Sequence, residues 1–192
     1  MELDQQLLTS AEIEALTRRI DRSVVLVGMM GVGKTTVGRK LAATLHMPFA
    51  DADEAIEEAA QLSISEIFER HGEPDFRDGE RRVIARLIGQ KGCQRRVIAT
   101  GGGAFCNPGT RALILERAIT VWIDSDIDVL VERTSRRDNR PLLRQGNPRE
   151  TLTRLKIERE QFYSLAPIHV TSGLAAHTRT VALICKEIAA WL

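Results

Sequence analysis

Residues 28–35 match the phosphate-binding loop pattern G-x-x-x-x-G-K-[ST], and their surroundings fit its usual context. A β-branched run at residues 23–27 precedes the loop and predicts a buried strand, and a helical stretch follows it. In such a loop the glycines let successive N–H groups point at phosphate oxygens, and the N-terminus of the helix adds positive potential. The chain is therefore expected to bind a nucleoside triphosphate on a strand–loop–helix unit.

Single positions of this loop have distinct expected roles. Lys34 is expected to reach the β- and γ-phosphates, and the hydroxyl of Thr35 is expected to face Mg²⁺. The alternative is a glycine-rich turn that happens to carry a lysine. The chain has neither N-K-x-D nor D-x-x-G, which disfavours a guanine-nucleotide switch. The candidate nucleotide-binding residues of the loop are Gly31, Val32, Gly33, Lys34, Thr35 and Thr36.

Strand-like and helical segments alternate along the chain. An amphipathic helix is predicted before Ser23, with a capping box from Thr9 to Glu12, and a second capping box runs from Ser63 to Glu66. This alternation predicts an α/β fold with a parallel sheet, helices on both faces, and ligands at the carboxyl ends of the strands. Further strands are predicted at 48–50, 96–99, 119–123 and 168–170, a helix after Ser125, and closing helices at 149–163 and 177–192.

The length and net charge of the chain limit the classes of protein to which it can belong. A chain of 192 residues fits one domain. The net charge of +1 supplies no global field that would attract nucleic acid or a membrane, and no apolar run approaches the roughly 18 residues of a spanning helix. Cys93, Cys106 and Cys185 form no metal-binding pattern and are interpreted as reduced thiols. We expect a monomeric cytoplasmic protein with no nucleic-acid or membrane partner.

Two strand ends carry further candidate residues. Asp51 and Asp53 follow the second strand, where they could serve a Mg²⁺-bound water and an acceptor hydroxyl, or instead cap the next helix. Residues 101–103 are three consecutive glycines after an apolar run. They indicate that the backbone must adopt φ > 0 or that a ligand approaches very closely, and the alternative is a flexible turn.

Arginines form the third group of candidates. Arg77 and Arg159 have planar guanidinium groups suited to a carboxylate, but both lie in mixed-charge helical runs, which favours a solvated helix face. Residues 133–149 hold six arginines broken by proline and glycine, which is typical of a loop. We interpret this segment as a lid that closes over the triphosphate. Nucleic-acid binding is the alternative, which the near-neutral charge and the lack of interleaved aromatics disfavour.

Together these elements resemble the shikimate kinases in order and spacing over residues 23–170. The resemblance implies a P-loop fold like that of nucleoside-monophosphate kinases, with three layers, a five-stranded parallel sheet and a mobile lid. It also implies transfer of the γ-phosphate of ATP to the 3-hydroxyl of shikimate, a step of aromatic amino-acid biosynthesis towards chorismate. The matching elements are the loop through Thr36, Asp51 with Asp53, Phe76–Arg77, Thr100–Gly103, the R-P-L-L of residues 140–143, and Arg159 with Tyr163.

The resemblance implies a role for each matching position. Thr35 and Asp51 would form the Mg²⁺ site, Asp51 through water. Asp53 would hold or deprotonate the acceptor hydroxyl. Arg133 would stack on adenine, and Arg140 would meet the ATP phosphates. The implied catalytic residues are Lys34, Asp53 and Arg140, and the implied shikimate-binding residues are Asp53, Arg77, Gly101, Gly102, Gly103 and Arg159.

Three segments depart from the family pattern. Residues 1–22 form a helical extension before the matching region, residues 160–163 differ just after Arg159, and residues 175–179 match poorly where the family contacts adenine. The lid is assigned to residues 134–150. The alternative functions are a gluconate or nucleoside-monophosphate kinase of the same fold, or a P-loop ATPase or regulator.

Overall fold

The computed structural model describes residues 8–89, 94–135, 147–173 and 177–192. It confirms the predicted α/β fold, because five parallel strands form one sheet in the order β2-β3-β1-β4-β5 with helices on both faces. The strands are β1 Val24–Val27, β2 Phe49–Asp51, β3 Val97–Ala99, β4 Ile119–Asp124 and β5 Ile168–Thr171.

The helices also follow the predicted order. They are α1 Ser10–Arg19, α2 Lys34–Thr44, α3 Ala52–Ala60, α4 Ile64–Ile88, α5 Pro108–Arg117, α6 Ile127–Ser135, α7 Pro148–Tyr163 and α8 His177–Trp191. Both predicted capping boxes form, at Thr9 and at Ser63. The helix expected after Ser125 begins at Ile127, and the Ser125 hydroxyl donates to the Ser172 carbonyl at 2.6 Å.

Strand β1 lies at the centre of the sheet. All four of its side chains are fully buried, and Val24 pairs with Val97 on one side and with Ile119 on the other. A strand that is covered on both faces needs a continuous apolar run rather than alternation, which explains the β-branched run in the sequence.

The N-terminal extension belongs to the main hydrophobic core. Leu16 and Ile20 are 2% and 0% exposed, and the Thr17 hydroxyl donates to the Leu45 carbonyl at 3.4 Å. Arg95 donates to the Ile20 carbonyl from the start of the segment that leads into β3. Helix α1 therefore closes the amino-terminal side of the sheet rather than standing apart from it.

Helix α4 bends in its first half. Gly72 has φ 77° and ψ 175°, a backbone conformation outside the helical region, and Pro74 follows two residues later. The positive φ suits glycine, and proline has no N–H to continue the helical ladder. The bend sets the direction of the second half of α4, which carries Arg77.

Parts of the predicted lid and of two other candidate regions lie outside the described residues. The described residues stop at Ser135 and resume at 147, so Arg140 and most of residues 134–150 lie outside them. Cys93 and residues 175–176 lie outside them as well. Cys106 and Cys185 are free thiols. Among the described residues, no helix has the length and apolarity to cross a membrane.

Strand register brings the candidate residues to one edge of the sheet. Leu26 of β1 pairs with Ala99 of β3, and Ala99 pairs with Asp51 of β2. Because these strands are parallel, the phosphate loop after β1, Asp51 at the end of β2 with Asp53 just after it, and the glycines after β3 all lie at the same edge of the sheet.

Candidate active site

The phosphate loop begins directly after β1 and ends in the first turn of α2. Gly28, Gly31 and Gly33 have φ of 135°, 84° and 98°, values that L side chains rarely adopt, which explains the glycines of the pattern. Lys34 is 8% exposed, and its Nζ donates to the carbonyls of Gly28 at 2.7 Å and Met29 at 2.9 Å. The ammonium group of Lys34 therefore reaches back across the phosphate loop to the backbone at its start.

Asp51 caps helix α3 and is also hydrogen-bonded to the phosphate loop. Its Oδ1 accepts from the backbone N–H of Asp53 at 3.1 Å and caps α3, while its Oδ2 accepts from the Thr35 hydroxyl at 2.8 Å. A hydroxyl and a carboxylate are hard oxygen ligands that suit Mg²⁺. No cluster of three or more His, Cys, Asp or Glu side chains able to hold a metal occurs in the described residues, so a metal here would take its other ligands from phosphate and water.

Asp53 lies in the first turn of α3 with its carboxylate against the glycine loop. A Cβ placed on Gly101 would lie 2.7 Å from Asp53 Oδ1. Burial, followed by the charges of Asp51 and Glu57, raises the pKa of Asp53 to about 6, although Lys34 and Arg77 oppose the rise. The carboxylate is therefore mostly ionised at neutral pH and is still basic enough to accept a proton.

Arg77 is held between two glutamates on its own helix. Its Nη1 donates to Glu80 Oε2 at 2.8 Å, and its Nε and Nη2 donate to Glu73 Oε1 at 3.2 and 3.1 Å. A Cβ on Gly103 would lie 2.5 Å from Nη2, so the guanidinium packs directly on this glycine. The side chain is only 21% exposed, and the interpretation of Arg77 as part of a solvated helix face is wrong.

The carbonyl of Gly102 joins the glycine loop to α7. It accepts from Arg159 Nη1 at 3.1 Å and from the Tyr163 hydroxyl. Burial raises the pKa of Tyr163, which keeps the phenol protonated as a donor. A Cβ on Gly102 would lie 3.2 Å from the backbone nitrogen of Met30, so the phosphate loop packs against the same glycine.

A cleft of about 650 Å³ opens beside these groups. Arg77 and Arg159 both line it, together with Gly103 and Cys106. Two guanidinium groups in one cleft form a site suited to an organic anion, because each can donate parallel hydrogen bonds to a carboxylate.

Arg133 lies on the opposite side of the phosphate loop. Its Nη1 donates to the Val32 carbonyl at 2.9 Å and its Nη2 to the Gly173 carbonyl at 2.8 Å. The guanidinium thus links the phosphate loop to the segment after β5. His177 approaches the same place, with its Cε1 3.3 Å from a Cβ placed on Gly33, and burial followed by the charge of Arg133 lowers the pKa of His177.

Four side chains near the site were given no role from the sequence: Glu73, Glu80, Tyr163 and His177. Glu73 and Glu80 lie four residues before and three residues after Arg77, and this helical spacing is a signal that indicates pairing. The burial of Glu80, at 1% exposed, and the reach of Tyr163 to Gly102 depend on long-range packing that no local pattern records.

A family model, curated relatives and solved structures each give matches to shikimate kinases. The family model described as shikimate kinase matches residues 30–190. A shikimate kinase of Novosphingobium aromaticivorans is 65% identical over 193 residues, and the alignment covers 100% of both chains. One of Caulobacter vibrioides is 53% identical over 167 residues, covering 87% of this chain and 82% of the relative. A solved shikimate kinase from Acinetobacter baumannii in complex with shikimate superposes with a TM-score of 0.83 at 35% identity, covering 95% of this chain and 98% of that chain.

Proposed function

The chain belongs to the shikimate kinase family, and on that premise we propose that it transfers the γ-phosphate of ATP to the 3-hydroxyl of shikimate. The products are shikimate 3-phosphate and ADP. The observation that supports this proposal is the position of Asp53, whose Oδ1 lies 2.7 Å from a Cβ placed on Gly101, in the same glycine loop that packs on Arg77 through Gly103. This position supports the proposed role of Asp53 as the group that accepts the proton of the acceptor hydroxyl.

The acceptor site matches the chemistry of shikimate. This molecule has one carboxylate and three hydroxyls, and the cleft offers the guanidinium groups of Arg77 and Arg159 for the carboxylate. Gly102 and Gly103 have no side chain that would keep the ring from the loop backbone. Asp53 would then orient the 3-hydroxyl and accept its proton as the new bond to phosphorus forms.

The nucleotide site uses the backbone of the loop and charges around it. The N–H groups of residues 31–36 would hold the phosphates, Lys34 would contact the β- and γ-phosphates, and Arg133 would lie against adenine. Thr35 and Asp51 would hold Mg²⁺, which when bound neutralises charge on the phosphates. Arg140, outside the described residues, is proposed to meet the phosphates from the lid at residues 134–150.

A coupled ADP-release assay tests the reaction. Mg·ATP is supplied with shikimate, gluconate, AMP, CMP or no acceptor, and Lys34→Ala and Asp53→Asn are assayed in parallel. We expect release only with shikimate and its loss in both variants. Release without an acceptor would indicate an ATPase, and release with gluconate or a nucleotide alone would overturn the assigned substrate.

Arg77→Lys tests the acceptor cleft separately. Lysine keeps the charge but loses the two-pronged geometry, so we expect a higher KM for shikimate and an unchanged KM for ATP. Arg39→Lys is the matched control, because Arg39 is 57% exposed and pairs with Glu54 at 3.1 Å on the surface. An equal rise of both KM values in Arg77→Lys would contradict a role restricted to the acceptor.

We further propose that the enzyme acts as a cytoplasmic monomer in aromatic amino-acid biosynthesis. The scattered cysteines, which form no disulfide framework pattern, support a reducing compartment. Sedimentation equilibrium at micromolar concentration tests the association state, and a mass of twice 21.4 kDa would contradict it.

A further inference from the structure

Arg77 has two edges that can each present a pair of parallel N–H donors, and both are engaged. At one edge Nη1 donates to Glu80, and Nη1 and Nη2 both pack on Gly103. The other edge, formed by Nε and Nη2, is occupied by Glu73. A second carboxylate can therefore bind Arg77 with two hydrogen bonds only by displacing one of the two glutamates.

The two glutamates differ in how easily they can leave. The Glu80 side chain is 1% exposed, so separating it from Arg77 would leave a buried charge without its partner. The Glu73 side chain is 64% exposed and can turn into solvent. Glu73 also follows Gly72, where α4 bends, and it lines the same cleft as Arg77 and Arg159.

The hydrogen bonds from Arg77 to Glu73 also have a weaker geometry than a bidentate pair with a carboxylate would have. A single oxygen, Oε1, accepts from both Nε and Nη2, at 3.2 and 3.1 Å. A substrate carboxylate aligned with this edge uses both of its oxygens, and such bidentate pairs are shorter and stronger. A bound carboxylate can therefore replace Glu73 on Arg77.

We propose that Glu73 is an internal competitor for the carboxylate of the acceptor: it occupies the Nε–Nη2 edge of Arg77 and is displaced when the acceptor binds. This inference rests on the proposed function, because it takes the acceptor to be shikimate. Glu73 keeps the guanidinium oriented and neutralised before binding, at the expense of acceptor affinity. It acts through Arg77 and is a positioning residue rather than a catalytic one.

The test compares Glu73→Gln with the wild type for kcat and for the KM of shikimate and of its uncharged methyl ester. Glutamine keeps the size of the side chain and removes the charge that competes. Exposed ion pairs change an equilibrium constant by up to about five-fold, so we expect the KM of shikimate to fall about two- to five-fold. The value of kcat and the KM of the methyl ester are expected to stay unchanged.

Glu158→Gln is the matched control. Glu158 forms an exposed i,i+4 pair with Arg154 at 2.9 Å and precedes Arg159 in sequence, so its loss changes the net charge equally without releasing Arg77. An unchanged or higher KM for shikimate in Glu73→Gln would overturn the inference. An equal fall for the methyl ester or in Glu158→Gln would overturn it too, because the effect would then not involve competition for Arg77.

The activity of the wild-type protein distinguishes a failure of this inference from a failure of the proposed function. If wild-type protein phosphorylates shikimate and Glu73→Gln fails to lower the KM, only the role of Glu73 is wrong. If wild-type protein does not phosphorylate shikimate, the proposed function fails and the inference fails with it.

Discussion

Asp53→Asn is expected to remove most activity and at the same time to stabilise the folded protein at neutral pH. Asn and Asp have nearly the same shape, and an Asn at this position cannot accept a proton from the acceptor hydroxyl. General-base catalysis typically contributes roughly 10²- to 10⁴-fold, so we expect kcat to fall by about that factor.

The gain in stability follows from the raised pKa. Burial and the neighbouring Asp51 raise the pKa of Asp53 from 3.8 to about 6, so folding disfavours the ionised form by about 3 kcal/mol, at about 1.4 kcal/mol per pH unit. From this we subtract about 0.5–1 kcal/mol, because the charge also interacts favourably with the N-terminus of α3. The expected net gain at pH 7.5 is about 2 kcal/mol, or about 4–8 °C in Tm.

The direction of the pH dependence distinguishes this mechanism from a packing effect. Below the unfolded pKa, the carboxyl is protonated in both states and imposes no penalty. As pH rises through the folded pKa of about 6, wild-type protein loses this part of its stability and the Asn variant does not. Urea unfolding of both proteins should therefore give similar free energies at pH 4 and separated ones at pH 7.5.

Glu54→Gln is the control, because Glu54 follows Asp53 in the same helical turn but is 65% exposed and pairs with Arg39. We expect it to keep full turnover and to change the free energy of unfolding by less than about 1 kcal/mol. Undiminished turnover in Asp53→Asn would refute the proton-accepting role. A stability difference that is the same at pH 4 and pH 7.5 would refute the electrostatic argument.

The remaining predictions concern pH, the glycine loop, its tyrosine and the N-terminal helix. The kcat/KM of wild-type protein should fall about ten-fold per pH unit below about pH 6, as Asp53 becomes protonated, which a pH–rate profile would show; a profile flat down to pH 5 would contradict it. Gly103→Ala should raise the KM of shikimate at least about ten-fold with little change for ATP, because the new Cβ would lie 2.5 Å from Arg77 Nη2. Steady-state kinetics with each substrate varied in turn measures both values, and an unchanged KM of shikimate would contradict this prediction. Tyr163→Phe should destabilise the protein by about 0.5–1.5 kcal/mol in urea unfolding and raise the KM of shikimate, because the Gly102 carbonyl loses a donor; unchanged values of both would contradict this. Ile20→Ala should cost about 2–5 kcal/mol in the same unfolding assay, because Ile20 is 0% exposed, and a loss under 1 kcal/mol would mean that α1 is not part of the core.

Local patterns predicted much of the architecture. The β-branched run before Gly28, the two capping boxes and the alternation of short strands with helices are near-neighbour features, and near-neighbour sterics and hydrogen bonds decide them. Positive φ was considered for residues 101–103, but these glycines do not have it, and the close approach of Asp53, Met30 and Arg77 to them is what the structure shows instead. Helix α6 begins two residues after Ser125, whose hydroxyl donates to the distant Ser172 carbonyl, a partner that no local pattern indicates.

The acceptor site was harder to predict from residues alone. Spacing left Asp51 undecided between a helix cap and a magnesium ligand, and the structure shows its two oxygens engaged separately by Asp53 and Thr35. Spacing also favoured a solvated face for Arg77, because a mixed-charge helix does not show which of its faces is covered. The resemblance to a family, rather than the charge pattern, indicated a carboxylate site there.

Local features of the chain are enough to predict a phosphate loop that joins a buried strand to a helix within an alternating α/β chain, because glycine conformations, caps and apolar runs act over a few residues. Which charged side chains come into contact depends on the folded arrangement of the strands and helices. Pairing of β1, β2 and β3 brings Asp53 against Gly101 and places Arg77 on Gly103, and burial there raises the pKa of Asp53 and encloses Glu80. Burial and electrostatic interaction depend on distances between residues far apart in the chain, and those distances exist only once the sheet has formed.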